Sequence, residues 1–339
     1  MSNMKYLFCG LGSIAERHIS NLLLIGETDI IAYRRNDLPL RTIKKRIKTF
    51  TNINEALSQK PDVAFITTPS AFHTPLALIL AKNNCYLFIE KPLSTSFNEI
   101  GKLKKIVKKK KLSVQIGFMM RYHPAIKKIK ELLSKNTIGE PIFARVDWGE
   151  YLPAWHPWED YKKSYSASKE LGGGPIFTLC HDIDLMSWFF GKPKSVYALA
   201  NNRSSLSIST EHCAELLFHY PNKLIVEIHL DFLQLPPKRT WEIVGTDGKI
   251  QYDYYKNLLE IYLIDKKRIK FKKIRVNLPK MFKRNDMFLK EIQSFVNSIK
   301  NHEGTDINLK DGMDNLQLLI AAHESIDTSK VVNIDDIRV

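Results

Sequence analysis

Three stretches of the sequence combine residue types that can do chemistry. In FCGLGSIAERH, Gly10, Gly12 and Ala15 form the pattern G-x-G-x-x-A, directly after an apolar run and ahead of a helical one. The first glycine permits a tight turn, the second lets backbone approach a pyrophosphate, and the small third residue lets helix and strand pack closely. The amides of Ser13, Ile14 and Ala15 then face the phosphates. In YLFIEKPLS, an apolar run that reads as a buried strand delivers Glu90 and Lys91, followed by Pro92, to its C-terminal edge. In ELGGGPIFTLCHDIDLMSW, Gly172 to Gly174 read as a flexible approach to a helix that carries His181. An unperturbed histidine titrates near pH ~6.5, which suits acid–base work at neutral pH.

Two further stretches reach the same strand edge. VAFITTPSAFHTPLA runs a strand at 63–66 into Thr67, Thr68 and Pro69, with His73 in the first turn of the next helix. In an alternating sheet, ligands lie beyond the carboxyl ends of the strands. These residues therefore fall where ribose or nicotinamide would pass, and Glu90 and Lys91 point into that crevice. The alternative for His73 is a helix-terminus histidine without a role. The strand at 30–33 ends IIAYRRND, with Arg34 and Arg35 where an acidic residue would hold the ribose of NAD. Two guanidinium groups suit a 2′-phosphate and favour NADP over NAD, whereas Asp37 would serve the ribose of NAD if the arginines are only solvated.

The elements that must position these groups follow from periodicity. Short apolar runs at 5–9, 30–33, 63–66, 86–89 and 113–116 alternate with helical spacing at 16–25, 54–59, 71–82 and 98–110. Such alternation implies crossover connections and a parallel, doubly wound sheet. After residue 121 the rhythm changes: a helix at 124–134, a strand at 142–148, a long aromatic loop, a helix from Pro175, strands over 195–275 with a TDGK hairpin turn, and helices at 284–300 and 310–325. The expected fold is α/β: a Rossmann dinucleotide-binding domain (1–121), then an α+β substrate and oligomerisation domain (122–339) with an open, mostly antiparallel sheet.

Composition narrows the partners. The net charge of +15 collects in KLKKIVKKKK (102–111) and DKKRIKFKKIR (265–275). Leu103, Ile106 and Val107 keep helical spacing with lysines on the other face, as in a solvated helix. No nucleic-acid module accompanies the charge, so no nucleic-acid partner is expected. No apolar run reaches the ~18 residues of a membrane span, and the N-terminus lacks the features of a secretion signal. Cys9, Cys85, Cys180 and Cys213 show no paired spacing and read as thiols of a cytoplasmic protein. His212, His219 and His229 fall on strands without metal-ligand spacing, and Cys213 beside His212 is too little, so no metal is expected.

Taken in order, GLGSIA, TTPSAFH, EKP and GGGPIFTLCHDIDLMSWFFG resemble the Gfo/Idh/MocA family of NAD(P)-dependent oxidoreductases across nearly the whole chain. The resemblance implies that Lys91 hydrogen-bonds the reacting hydroxyl and the nicotinamide ribose, that Glu90 helps position the lysine and the cofactor, and that His181 is the acid–base group. It also implies a homodimer or homotetramer. One departure stands out. Many members carry an aspartate three or four residues before this histidine, where this chain has Thr178 and Phe177. Thr178 can hydrogen-bond a substrate hydroxyl but cannot hold negative charge, so either Lys91 and His181 suffice or Asp182 or Asp184 substitutes.

The loop before the glycines holds Tyr151, Trp155, Trp158, Tyr161 and Tyr165 among polar groups. It suits a sugar ring or a base as a substrate lid, or serves as an arm to a second subunit. Arg121 and Tyr122, at a strand end, are candidates to hold a substrate carboxylate or phosphate. The implied activity is hydride transfer at a hydroxyl or keto carbon of a sugar, sugar derivative or nucleotide sugar, in surface polysaccharide synthesis. The alternatives are a redox-assisted glycosidase of the same fold and a non-catalytic sensor of NAD(P) and sugar.

Overall fold

A computed structural model describes residues 4–34, 40, 42–43, 47–265, 267, 269–279 and 281–338 of the chain. The chain forms two compact units, one of residues up to 119 with 283–316, the other of 120–282 with 317–338. The first runs β1 (Tyr6–Cys9), α1 (Ser13–Leu24), β2 (Ile30–Tyr33), β3 (Lys48–Phe50), α2 (Ile53–Ser58), β4 (Val63–Ile66), α3 (His73–Lys82), β5 (Tyr86–Ile89), α4 (Ile100–Lys110) and β6 (Val114–Ile116). Its six strands are parallel in the order β3-β2-β1-β4-β5-β6. Every residue of β1 and β4 is buried, which is why these strands read as unbroken apolar runs. The chain winds outward in both directions from β1 and β4, so their carboxyl ends form the switch point of the sheet. Along α4, Ile100 and Leu103 turn inward and the lysines stay at the surface or half-buried.

The second unit runs α5 (Pro124–Ser134), β7 (Pro141–Gly149), α6 (Pro175–Thr178), α7 (His181–Phe190), β8 (Ser195–Asn201), β9 (Cys213–His219), β10 (Ile225–Asp231), β11 (Lys238–Gly245), β12 (Gly248–Asp253), β13 (Leu258–Asp265) and β14 (Lys270–Val276). β7 pairs β10 in parallel; the other pairs are antiparallel. Burial alternates along the strands: Arg239, Trp241 and Ile243 of β11 point inward, while Lys238, Thr240 and Glu242 lie on the opposite, open face. The TDGK turn joins β11 to β12, with Gly245 opposite Gly248.

The chain then returns to the first unit, where a single boundary at 121 was expected. The cause is α8 (Arg284–Lys300), whose Ile292, Phe295, Val296 and Ile299 are buried in the core of the parallel sheet. Phe65 stacks between Phe8 and Phe88, with ring centroids 4.7 and 4.8 Å away, and Phe295 meets Phe65 and Phe88 edge-on. Truncating such a ring costs about 3–5 kcal/mol, so α8 is integral to this core. α9 (Leu309–Thr328) and β15 (Val332–Asn333) follow, β15 pairing with β8. Among the described residues no helix is long and apolar enough to cross a membrane.

Candidate active-site residues

Backbone turns shape the carboxyl edge of the parallel sheet. Gly10 holds φ +95°, a conformation that disfavours any side chain, and a Cβ there would lie 3.0 Å from the Thr67 carbonyl oxygen. Thr67 Oγ1 donates to the carbonyls of Cys9 (3.1 Å) and Gly10 (2.9 Å), which ties the turns after β1 and β4 together. Gly12 precedes α1, no side chain caps the helix, and a Cβ on Gly12 would stand in open space. The first amides of α1 therefore have room for an anion, with Ala15 buried beneath them. This donor set fits a dinucleotide pyrophosphate. Ser13 is exposed and Ile14 half-buried at the same turn. Arg34 is half-buried just past β2, its amide donating to Phe50 O at 3.0 Å; Arg35 and Asp37 lie outside the described residues.

The turn after β5 is polar and tightly bound. His18 Nε2 donates to Glu90 Oε1 at 2.6 Å, and the imidazole packs edge-on against Phe88. Burial resists the charge on Glu90, but the hydrogen bond and charge of His18, with Lys91 and His73, bring its carboxyl below its ordinary value. Glu90 is therefore an anion at neutral pH. Gly117 leaves it space, since a Cβ there would come within 3.0 Å of Oε2. The Lys91 amide donates to that same Oε2 at 3.3 Å, and the Lys91 side chain is half-buried.

His73 is buried, with Nδ1 2.8 Å from the Pro92 carbonyl and Nε2 2.8 Å from that of Thr68. Pro69, next to Thr68, is half-buried. His18 was missed by sequence reading. Its signal was a polar residue on the buried face of α1, beside Ala15, Ile19 and Leu22.

In the second unit, α6 ends at Thr178 and His181 opens a new helix, α7. Both side chains are buried, and the Trp148 ring lies 6.2 Å from that of His181. The two carboxylates offered as substitutes for the absent aspartate are each engaged by an arginine. Asp182 accepts from Arg239 Nε and Nη2 at 3.1 and 3.0 Å, and Asp184 accepts from Arg121 Nε and Nη2 at 2.9 and 2.6 Å. Burial pushes the Asp182 carboxyl upward against the pull of Arg239. The Arg239 guanidinium also lies 3.5 Å over the Trp148 ring.

Arg121 thus spends its fork on Asp184 within the protein, and Tyr122 is buried with Lys127 Nζ 5.0 Å over its ring. Arg239, like His18, was missed; a charge at an inward position of an alternating strand was its signal. The glycines before α6 serve close packing rather than flexibility. A Cβ on Gly173 would meet Ser166 O at 2.4 Å, and one on Gly174, at φ +92°, would meet Glu211 Oε1 at 2.4 Å. Trp158 is 61 % exposed, whereas Tyr161 is half-buried and accepts from the Ser207 amide at 3.4 Å.

Among the described residues no group of three His, Cys, Asp or Glu could hold a metal ion. His229 lies between Asp231 (2.7 Å) and Glu215 (2.5 Å), and these contacts raise it to about 10.

Residues 4–118 match the model of an oxidoreductase family with an NAD-binding Rossmann fold, and residues 126–251 match that of the GFO/IDH/MocA C-terminal domain. The chain is 23% identical over 347 residues to a myo-inositol 2-dehydrogenase of Thermotoga maritima, covering 98% of this chain and 99% of that protein. It is 20% identical over 280 residues to a D-xylose 1-dehydrogenase (NADP(+)) of Haloferax volcanii, covering 81% of each. Among solved structures, a levoglucosan dehydrogenase in complex with NADH and L-sorbose shares the fold, with a TM-score of 0.83 at 16% identity over 98% of this chain and 99% of that one.

Proposed function

Because the chain belongs to the Gfo/Idh/MocA family of oxidoreductases, we propose that it is an NAD(P)-dependent dehydrogenase or reductase acting on a hydroxyl or keto carbon of a sugar or sugar-derived substrate. The relatives named for inositol and xylose support that substrate class. The observation that carries the reading is the turn after β5. There an ionised, buried Glu90, gripped by His18 of the glycine-turn helix, fixes the backbone of Lys91 at the carboxyl edge of the sheet.

When bound, NAD(P) supplies the nicotinamide carbon that takes or gives the hydride. Gly10, Gly12 and the first amides of α1 hold the pyrophosphate, and Thr67 fixes the Gly10 turn. Arg34 favours the 2′-phosphate of NADP. Lys91 donates a hydrogen bond to the reacting oxygen and lowers the cost of charge there. His181 takes or returns the hydroxyl proton. With Asp182 and Asp184 both held by arginines, these two groups carry the acid–base work, worth ~10² to 10⁴-fold. The basic surface and the aromatic loop favour a nucleotide-linked or acidic sugar of the kind surface polysaccharide synthesis uses. The open sheet face of the second unit supports a homodimer or homotetramer.

The test is absorbance at the reduced-nicotinamide band with NADP⁺ or NAD⁺ and a panel of polyols, sugars and nucleotide sugars. Lys91→Ala and His181→Ala are expected to lose at least about 10²-fold in kcat while still binding cofactor. Tight cofactor binding without turnover on any compound would overturn the reading in favour of a non-catalytic sensor.

A further inference from the structure

His73 has both ring nitrogens committed to backbone. Nδ1 lies 2.8 Å from the carbonyl of Pro92, the residue after Lys91, and Nε2 lies 2.8 Å from the carbonyl of Thr68, in the turn after the neighbouring strand β4. The side chain is 1% exposed, so it offers no ring atom to a ribose or a nicotinamide. What it can do is fix one turn relative to another. Thr68 follows Thr67, which is bonded to the Gly10 carbonyl, so the ring links the lysine turn to the glycine turn through three strand ends.

We propose that His73 is a positioning residue for Lys91, acting through the hydrogen bond from its Nδ1 to the Pro92 carbonyl. This rests on the role given to Lys91 above. Carbonyls only accept hydrogen bonds, and a neutral imidazole has a single N–H to give. The charged groups that bear on the ring are Glu90, which favours its protonation, and Lys91, which opposes it. Burial is the largest influence and holds the ring below its ordinary pKa, so at neutral pH one proton serves two carbonyls. If the ring works through the lysine turn, that proton is on Nδ1.

Two amide substitutions separate the two contacts. The amide nitrogen of His73→Asn falls near the Nδ1 position and keeps the Pro92 contact. That of His73→Gln falls near the Nε2 position and keeps the Thr68 contact. The expected result is kcat within about threefold of the parent for His73→Asn and about 10- to 100-fold lower for His73→Gln, the scale of a misplaced catalytic group. The KM for cofactor should stay within about twofold in both, because the loss falls on the transition state.

Equal loss in the two variants at matched Tm, or a rise in cofactor KM with kcat unchanged, overturns the proposal. Ring ¹⁵N NMR of the parent protein at pH 8 gives a readout independent of turnover. A proton on Nδ1 supports the proposal, and one confined to Nε2 overturns it. If the parent turns over no compound, the proposed activity fails, and the NMR result still decides the role of His73.

Discussion

On α1, a buried histidine meets a buried glutamate at 2.6 Å; along α7, two buried aspartates meet two arginines at 2.6–3.1 Å. Both arrangements place polar groups in protein interior, but they do different work. In the first unit the candidate catalytic lysine sits on a backbone turn, and the buried pair fixes that turn through a single carboxylate that also accepts from the lysine amide. In the second unit His181 opens a helix, and the bidentate pairs fix the helix itself, one residue and three residues beyond it. A turn at a strand end already has most of its geometry set by the sheet. A helix laid on the inner face of a sheet has to be fixed in both rotation and translation, and two forked ion pairs on nearly opposite sides of its first turn do that. The difference predicts that the second arrangement is the more costly one to damage.

The largest effect is therefore expected at Asp182. Asp182→Ala leaves the Arg239 guanidinium buried without its carboxylate, and breaking a buried pair from one side costs roughly 3–5 kcal/mol. Urea unfolding should show this as a lower midpoint with an unchanged slope. Asp182→Asn, which keeps an acceptor of the same shape, should lose clearly less. If Ala and Asn lose equally little, the ion pairs do not anchor α7 and the contrast between the units collapses.

Damage to the His18–Glu90 pair should be smaller. His18→Ala removes one donor from a carboxylate that still accepts from the Lys91 amide, an expected cost of roughly 1–3 kcal/mol. The pair also has a pH signature. Glu90 has a depressed pKa in the folded state, so the folded chain binds its proton less readily than the unfolded one. Its contribution is fully present above the ordinary glutamate value of about 4.3 and is lost as pH falls through the depressed value. Thermal melts between pH 3 and pH 7 should show a shallower acid limb for Glu90→Gln than for the parent protein. An identical limb would mean that Glu90 is not the titrating group.

How much was legible follows the same division. Gly10, Gly12, Thr67 and the Glu90-Lys91-Pro92 turn are read from adjacent residues, because a turn needs particular residue types at particular places. The partner of Glu90 is 72 positions away, and the arginines that hold Asp182 and Asp184 are 57 and 63 positions away. Periodicity reports that a residue is buried, not what it meets. So Asp184 read as a spare acid and Arg121 as a substrate ligand, although the fold pairs them. Likewise α8 was visible as a helix from its apolar spacing, but nothing local said that Phe295 joins the ring stack of Phe65 and Phe88. β3 and β15, of three and two residues, are too short for any period to register.

Arg34 sharpens the contrast from its weak end. It follows β2 at the edge of the parallel sheet, with its amide bonded to Phe50 O, a contact that no side-chain substitution removes. A residue placed by a turn should be dispensable for folding and still matter for selectivity. Arg34→Ala is expected to leave the urea midpoint unchanged and to lower the ratio of NADPH to NADH affinity about tenfold, the equivalent of one charge-assisted hydrogen bond of roughly 1.4 kcal/mol. Isothermal titration with both cofactors measures that ratio directly. An unchanged ratio would remove the ground for preferring NADP and leave the ribose hydroxyls of NAD as the better fit. A fall in stability would instead show that this strand end, like α7, depends on its side chains.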